Sequence, residues 1–378
     1  MTPSRAVAFY LPSLSGGGAE KMILHMAGEL HARGLAVDVV LARSDGAYAG
    51  RVPAGVNVVN LNARGTMSRL MSLKRYLQVS SPEALVTALD VINIGAIAKR
   101  LSGVPTRIVL TIRNHLSSEM ADLPRHTRTA KRLIIRATYG LADAVVGISE
   151  GVADDVARLG GLDRSSVGVL YNPVVVPSML EEARAEPPHP WLCDDGAPVI
   201  LGVGRLVPQK DFATLIHAFH RVHQSRPSRL LILGEGPLRG DLLRLVESLG
   251  LSASVRMPGF LANPYACMSA ADVFVLSSRF EGFGNVLVEA MACGTTVVST
   301  DCPSGPAEIL AGGRFGKLVP VGDAEGMAGA IVQSLDEPMP RETLSDRAGH
   351  FTAAGACDRL LEIIRSDRAG VLGAAVGG

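Results

Sequence analysis

The sequence predicts an α/β protein of two consecutive doubly wound, Rossmann-like domains. Short apolar runs alternate with amphipathic stretches from one end of the chain to the other. Those runs lack the period-two alternation of half-exposed strands, as expected of parallel strands covered on both faces. The alternation breaks once, in a proline-rich run, and then restarts. At 378 residues the chain is also too long for one ordinary core.

Residues 5–11 read as the first strand, 13–18 as a glycine loop and 19–33 as a helix. Strands continue at 37–41, 57–61, 84–87, 107–112, 144–148 and 167–170, with helices such as 66–78 and 129–141 between them. The break spans 171–198 and carries Glu181, Glu182 and Glu186 among its prolines, beginning at the Asn172-Pro173 turn. It is read as the linker, 173–198, after a first domain of 1–172. A second domain, 199–355, opens with strand 199–203 and helix 212–224. Strand 230–233, helix 237–249 and strands 255–257, 273–276 and 297–299 follow. Residues 356–378 read as a helix free to pack back on the first domain, and a flexible tail. Two such domains leave a cleft at the carboxyl ends of both sheets, where ligands bind in these folds.

Composition excludes several classes. With 47% hydrophobic and 19% charged residues, the chain is globular and not disordered. The five cysteines are odd in number and lack metal-ligand spacing, which suits reduced thiols in a cytoplasmic protein. The first apolar run is shorter than a signal-peptide core, and no segment reaches the ~20 apolar residues of a membrane span. Net charge is +1, yet residues 1–180 carry 20 Lys and Arg against 13 Asp and Glu, and the remainder 17 against 23. A basic half suggests an anionic partner. No aromatic-interleaved basic patch or nucleic-acid motif is present, so nucleic acid is not expected. An anionic membrane surface or phosphate-bearing acceptor fits better. Arg64, Arg69, Lys74 and Arg75 flank Met67, Leu70, Met71 and Leu73, and Arg125, Arg128, Lys131, Arg132 and Arg136 form a second basic set. Such stretches lie on anionic bilayers or simply cover a core.

Three constellations point into the expected cleft. Gly16, Gly17 and Gly18 follow the first strand at once, where a ligand can approach the backbone and a helix start offers its amides. The Gly-x-Gly-x-x-Gly dinucleotide spacing is absent, and a tight turn without ligand is the competing reading. Arg205 and Lys210 sit in the loop after the first strand of the second domain, placed to clamp a diphosphate or merely to face water. The third constellation runs from Arg279 to Met291. A strand ends, a loop carrying Glu281, Gly282, Phe283 and Gly284 turns, and a helix begins near Asn285. Amides at Gly284, Asn285 and Val286 would meet a diphosphate. Glu289, one turn further, would accept from a ribose diol, and Glu281 would reach hydroxyls of a sugar. Ordinary loop and helix-face charge is the alternative for both acids.

Together these motifs resemble the GT-B-fold glycosyltransferases of family 4, retaining enzymes typified by bacterial surface-polysaccharide and lipid-linked-oligosaccharide transferases. The resemblance covers essentially the whole chain. It rests on Gly16 to Glu20, Gly204-Arg205-Leu206 with Gln209-Lys210-Asp211, Gly259-Phe260, the segment 281–294 and Asp301 to Glu308. One departure is Thr296, where the family commonly has proline. The resemblance implies a nucleotide-sugar donor with UDP favoured. Arg205 and Lys210 would hold its diphosphate, Glu281 its sugar and Glu289 its ribose. Gly16 and Gly17 would close on the diphosphate, and Gly259 and Phe260 would read the base. His115 matches a histidine close to donor sugar and acceptor, with a histidine packed at a strand end as the rival reading.

The expected reaction is transfer of a hexose or N-acetylhexosamine to a lipid-diphosphate-linked or polysaccharide acceptor, with retention by front-face attack. No second carboxylate is placed for a covalent route. No Asp-x-Asp pair occurs, so neither metal nor cofactor is expected. His217, His220 and His223 read as a solvated helix face and not a metal site. A soluble acceptor, or a two-domain sugar-nucleotide-binding protein without transferase activity, is the alternative. A sugar phosphorylase would need a marked pyridoxal phosphate lysine. The expected location is cytoplasmic, peripheral at the inner face of the membrane.

Overall fold

Valine, isoleucine and leucine dominate the short apolar runs, and in the computed structural model these runs become parallel strands. Described are residues 6–15, 17–46, 48–88, 92–194 and 196–366. The first sheet contains β1 (Val7–Leu11), β2 (Val37–Leu41), β3 (Asn57–Asn60), β4 (Ala84–Ala88), β5 (Arg107–Ile112), β6 (Ala144–Gly147) and β7 (Val167–Val169). Its order is β3-β2-β1-β4-β5-β6-β7. The second contains β8 (Val199–Val203), β9 (Arg229–Leu233), β10 (Val255–Gly259), β11 (Val273–Leu276), β12 (Thr296–Thr300) and β13 (Lys317–Val319). Its order is β10-β9-β8-β11-β12-β13. Each sheet reverses its order once, at β1/β4 and at β8/β11. Loops leaving the carboxyl ends on either side of such a reversal form a natural crevice.

The first unit comprises Met1–Pro173 and Ala353–Gly378, and the second Val174–Thr352. Helix Ala353–Arg365 joins the first unit's core, where Cys357, Leu360, Ile363 and Ile364 are buried with Met26 and Leu30. Arg33 clasps this helix through Asp358 at 2.6 Å. Helix Arg125–Thr138 starts four residues ahead of the expected 129, directly after Pro124. Helices Ile94–Ser102 and Glu150–Gly160, not singled out from sequence, carry ordinary end signals. Asn93 and Ser149 cap their amino ends, and Gly103 and Gly161 close them in the left-handed region.

The proline-rich run read as the linker is built into the second unit from Val174 onward. It holds helix Pro177–Glu182, whose final carbonyl accepts from Asn263 Nδ2 at 2.8 Å. Further on, the Trp191 ring lies against two guanidiniums, Arg229 at 5.4 Å and Arg256 at 5.1 Å. Asp194 pairs with Arg229 at 2.6 Å. These contacts fix a stretch whose composition alone suggests a spacer.

All five cysteines are unpaired, and Cys193 alone among them is exposed. Burial pushes the thiols up, Cys267 to about 11 and Cys293, Cys302 and Cys357 to about 12. Thiolate is the reactive form, so the folded protein at pH 8 should titrate one thiol with a disulfide reagent. Five should react after denaturation. Rapid native labelling of two or more would contradict this packing.

Candidate active site

Two loops meet beside the reversal of the second sheet. One leaves β8 and reaches helix Phe212–Ser225, and the other leaves β11 and reaches helix Asn285–Ala292. Arg279 N donates to Gln209 O at 2.8 Å, and Gln209 Nε2 to Phe280 O at 2.9 Å. Ser277 Oγ donates to the Lys210 carbonyl at 2.8 Å. Asp211, left-handed at φ 45°, then caps the helix through Thr214, so Lys210 is fixed at a loop-to-helix corner.

Lys210 Nζ lies 2.5 Å from Glu281 Oε1, with side-chain exposures of 16% and 8%. Ser278 Oγ donates to the same oxygen at 2.6 Å. An ammonium carries three hydrogens, and Glu281 is the one side-chain partner of Lys210 among the described residues. The remaining donors suit an anion. Arg205 is exposed. Its guanidinium has no hydrogen bond or ion pair among the described residues.

Glycines let neighbouring backbones close on Arg205. Gly234 has φ 136°, and a Cβ there would stand 2.0 Å from Gly204 O. At Gly236 it would stand 2.5 Å from Leu206 O. Gly234 N in turn donates to Gly259 O at 2.8 Å, aligning the ends of β8, β9 and β10. The sequence reading missed Gly234-Glu235-Gly236. Its signal was two glycines bracketing an acid straight after a buried strand. Gly259 is buried at φ 95°, whereas the neighbouring Phe260 is 76% exposed.

Gly284, at φ 103°, leads into helix Asn285–Ala292 and has no side chain to cap it. Leu287 N donates to Gly284 O at 2.9 Å, and the amides ahead of it have no acceptor within the helix itself. Glu289 is buried one turn on, and Tyr265 OH donates to its Oε1 at 3.3 Å. Phe283, expected among the donor-binding residues of this loop, keeps its side chain out of solvent. Its ring is buried edge-on against Phe351 at 5.2 Å, which leaves its backbone as the part available to a donor. Glu281 N donates to Pro303 O at 3.3 Å. Ser304 follows at φ 64° with a buried, unpartnered hydroxyl.

His115 and Gly17 belong to the first unit; Gly16 lies outside the described residues. Gly17 is the amino cap of helix Gly18–Ala32, and a Cβ there would meet Glu20 Oε2 at 2.5 Å. His115 ends the β5 loop and caps helix Leu116–Glu119. Its Nδ1 accepts from Ser118 N at 3.2 Å and lies 2.9 Å from Ser118 Oγ. The neutral ring therefore carries its proton on Nε2, which has no partner among the described residues. Arg113, two residues earlier, escaped the sequence reading. It is buried, donates to Asn172 Oδ1 at 2.7 Å, and desolvation lowers it to about 10 against the pull of Glu20.

Among the described residues no group of three or more His, Cys, Asp and Glu side chains is arranged to hold a metal. His217 faces solvent. His223, expected on that face, is half-buried and bridges Ser228 O at 3.0 Å and Ser254 Oγ at 3.1 Å.

Two family models match, a glycosyl transferase 4-like domain over residues 17–173 and glycosyl transferases group 1 over residues 197–337. The chain is 32% identical over 268 residues to the N-acetylgalactosamine-N,N'-diacetylbacillosaminyl-diphospho-undecaprenol 4-alpha-N-acetylgalactosaminyltransferase of Campylobacter jejuni, covering 71% of this chain and 70% of that one. It is 37% identical over 218 residues to the lipopolysaccharide core biosynthesis glycosyltransferase LpsE of Rhizobium meliloti, covering 57% and 61%. The second match thus spans about three-fifths of that relative. Among solved structures, Anabaena HepE in complex with UDP-glucose superposes with a TM-score of 0.74 at 22% identity, over 95% of this chain and 98% of that one. Two parallel-sheet units of this build, each matching its own model, leave one assignment: the chain belongs to the family 4 glycosyltransferases of GT-B fold.

Proposed function

We propose that this glycosyltransferase moves a hexose or N-acetylhexosamine from a UDP-sugar to a lipid-diphosphate-linked or polysaccharide acceptor, with retention and without a metal. The observation that carries the proposal is the Lys210–Glu281 pair, at 2.5 Å, beside the glycine-led start of helix Asn285–Ala292. That corner offers cationic donors and helix amides to a diphosphate, a carboxylate to a sugar and, in Glu289, a carboxylate to a ribose. UDP-glucose bound to Anabaena HepE supports the donor class.

In this reading Arg205, Lys210 and the helix start stabilise the charge that grows on the leaving phosphate. That phosphate takes the proton of the attacking hydroxyl on the same face. His115 donates through Nε2 to the transferred sugar, and Gly259 and Phe260 border the base. Incubation with a panel of nucleotide sugars tests the proposal. UDP release should occur with one or two UDP-sugars and be unchanged by EDTA, and the product should keep the donor's anomeric configuration. No turnover of any nucleotide sugar, or activity abolished by the chelator, would refute it.

The diphospho-undecaprenol in the name of the Campylobacter relative supports a lipid-linked acceptor. Met67 and Met71 are exposed on helix Thr66–Ser80, and Leu133 on helix Arg125–Thr138, among basic side chains. Arg69 is half-buried and donates to Tyr10 OH, whereas Arg136 stays exposed while its Nε reaches Leu159 O. No helix among the described residues is long and apolar enough to cross a membrane. The proposed location is cytoplasmic, on an anionic inner leaflet. Co-sedimentation with anionic and not with neutral vesicles is the expected result. No sedimentation with either would favour a soluble acceptor.

A further inference from the structure

We infer that Ser278 is a positioning residue that fixes which oxygen of Glu281 meets the donor sugar. The inference rests on the donor site proposed above. Two consecutive serines end β11's run toward the site, and they serve opposite sides of the Lys210–Glu281 pair. Ser277 Oγ holds the Lys210 carbonyl at 2.8 Å. Ser278 Oγ holds Glu281 Oε1 at 2.6 Å. Side chains alternate across an extended segment, so adjacent positions reach different neighbours.

Ser278 is itself fully buried, and its carbonyl accepts from Thr300 Oγ1 at 2.6 Å. The hydroxyl is thus delivered from a backbone pinned to the next strand. With Ser278 and Lys210 both on Oε1, that oxygen is occupied. Oε2 makes no hydrogen bond among the described residues and is not sealed from solvent. An ionised carboxylate is an acceptor only, so Oε2 selects a hydroxyl or amide donor on the transferred group. Without Ser278 the carboxylate can rotate about its terminal bond, a broad torsion. Lys210 alone does not hold the plane, because an ammonium is a rotating point donor.

The test compares wild type, Ser278→Ala, Glu281→Gln and the double variant. Calorimetry measures UDP and the best-bound member of a UDP-glucose, UDP-galactose, UDP-N-acetylglucosamine and UDP-N-acetylgalactosamine panel. Turnover is measured in parallel, with thermal midpoints as the folding control. Ser278→Ala should bind UDP within about twofold of wild type yet lose about 10–100-fold in kcat/KM for the sugar nucleotide. Added to Glu281→Gln, it should cost no more than about twofold further, because both changes remove one interaction. Unchanged turnover, equal losses for UDP and UDP-sugar, or multiplying effects in the double variant would overturn the inference. Ser278→Cys, with a weaker donor in nearly the same volume, carries the same test if the alanine variant does not fold. Wild type that binds no UDP-sugar would instead overturn the donor reading itself.

Discussion

Replacing Lys210 with alanine is expected to lower turnover about 10²–10³-fold, the usual loss when one preorganised donor to a developing oxyanion is removed. The fall should appear mainly in kcat, because the charge on the leaving phosphate grows on the way to the transition state. A second consequence separates this residue from Arg205. Lys210 is paired with a carboxylate whose side chain is 8% exposed, so its loss leaves that charge buried and unpaired, a change of about 3–5 kcal/mol in well-studied pairs. Lys210→Ala should therefore melt several degrees below wild type. Arg205→Ala, which removes an exposed and unpartnered side chain, should melt with wild type while also losing activity. Full transferase activity in either variant would remove that residue from the diphosphate site.

Gly305→Ala should be the most damaging single-carbon addition in the second unit. The residue has φ 90°, and an ideal Cβ would lie 1.8 Å from Phe283 O, so strain and collision act together. Strain at a positive φ costs about 1–3 kcal/mol by itself. Relief of the collision must displace Phe283, whose ring is packed on Phe351. A loss above about 3 kcal/mol is expected, lowering the melting temperature by roughly 6–12 °C in a domain of this size. Gly322→Ala is the matched control. Its φ is 79°, with nothing within 4 Å of the added carbon, so it should lose only about 1 kcal/mol. Equal melting of the two variants would show that the contact with Phe283 is not rigid.

The alternation of strand and helix was legible because parallel strands covered on both faces read as unbroken apolar runs. The segment from Glu281 to Glu289 was legible for a local reason, since loop, helix start and first turn are consecutive in sequence. What escaped was set by distant partners. Arg113 gains its meaning from Asn172, 59 residues away. Tyr265 gains its from Glu289, 24 residues on. The proline-rich run misled because Trp191 and Asp194 find their arginines only after β9 and β10 are paired.

The helix Ala353–Arg365 sets an order of events during synthesis. The second unit is continuous in sequence, from Val174 to Thr352, and can complete its core as soon as it leaves the ribosome. The first unit is made earlier but lacks Cys357, Leu360, Ile363 and Ile364 from its core until residues beyond the second unit are translated. Domains usually fold in the order they are made. Here the apolar side of helix Gly18–Ala32 waits for its cover while the later-made half finishes first, and ribosome-bound chains halted before residue 353 would present that side to chaperones.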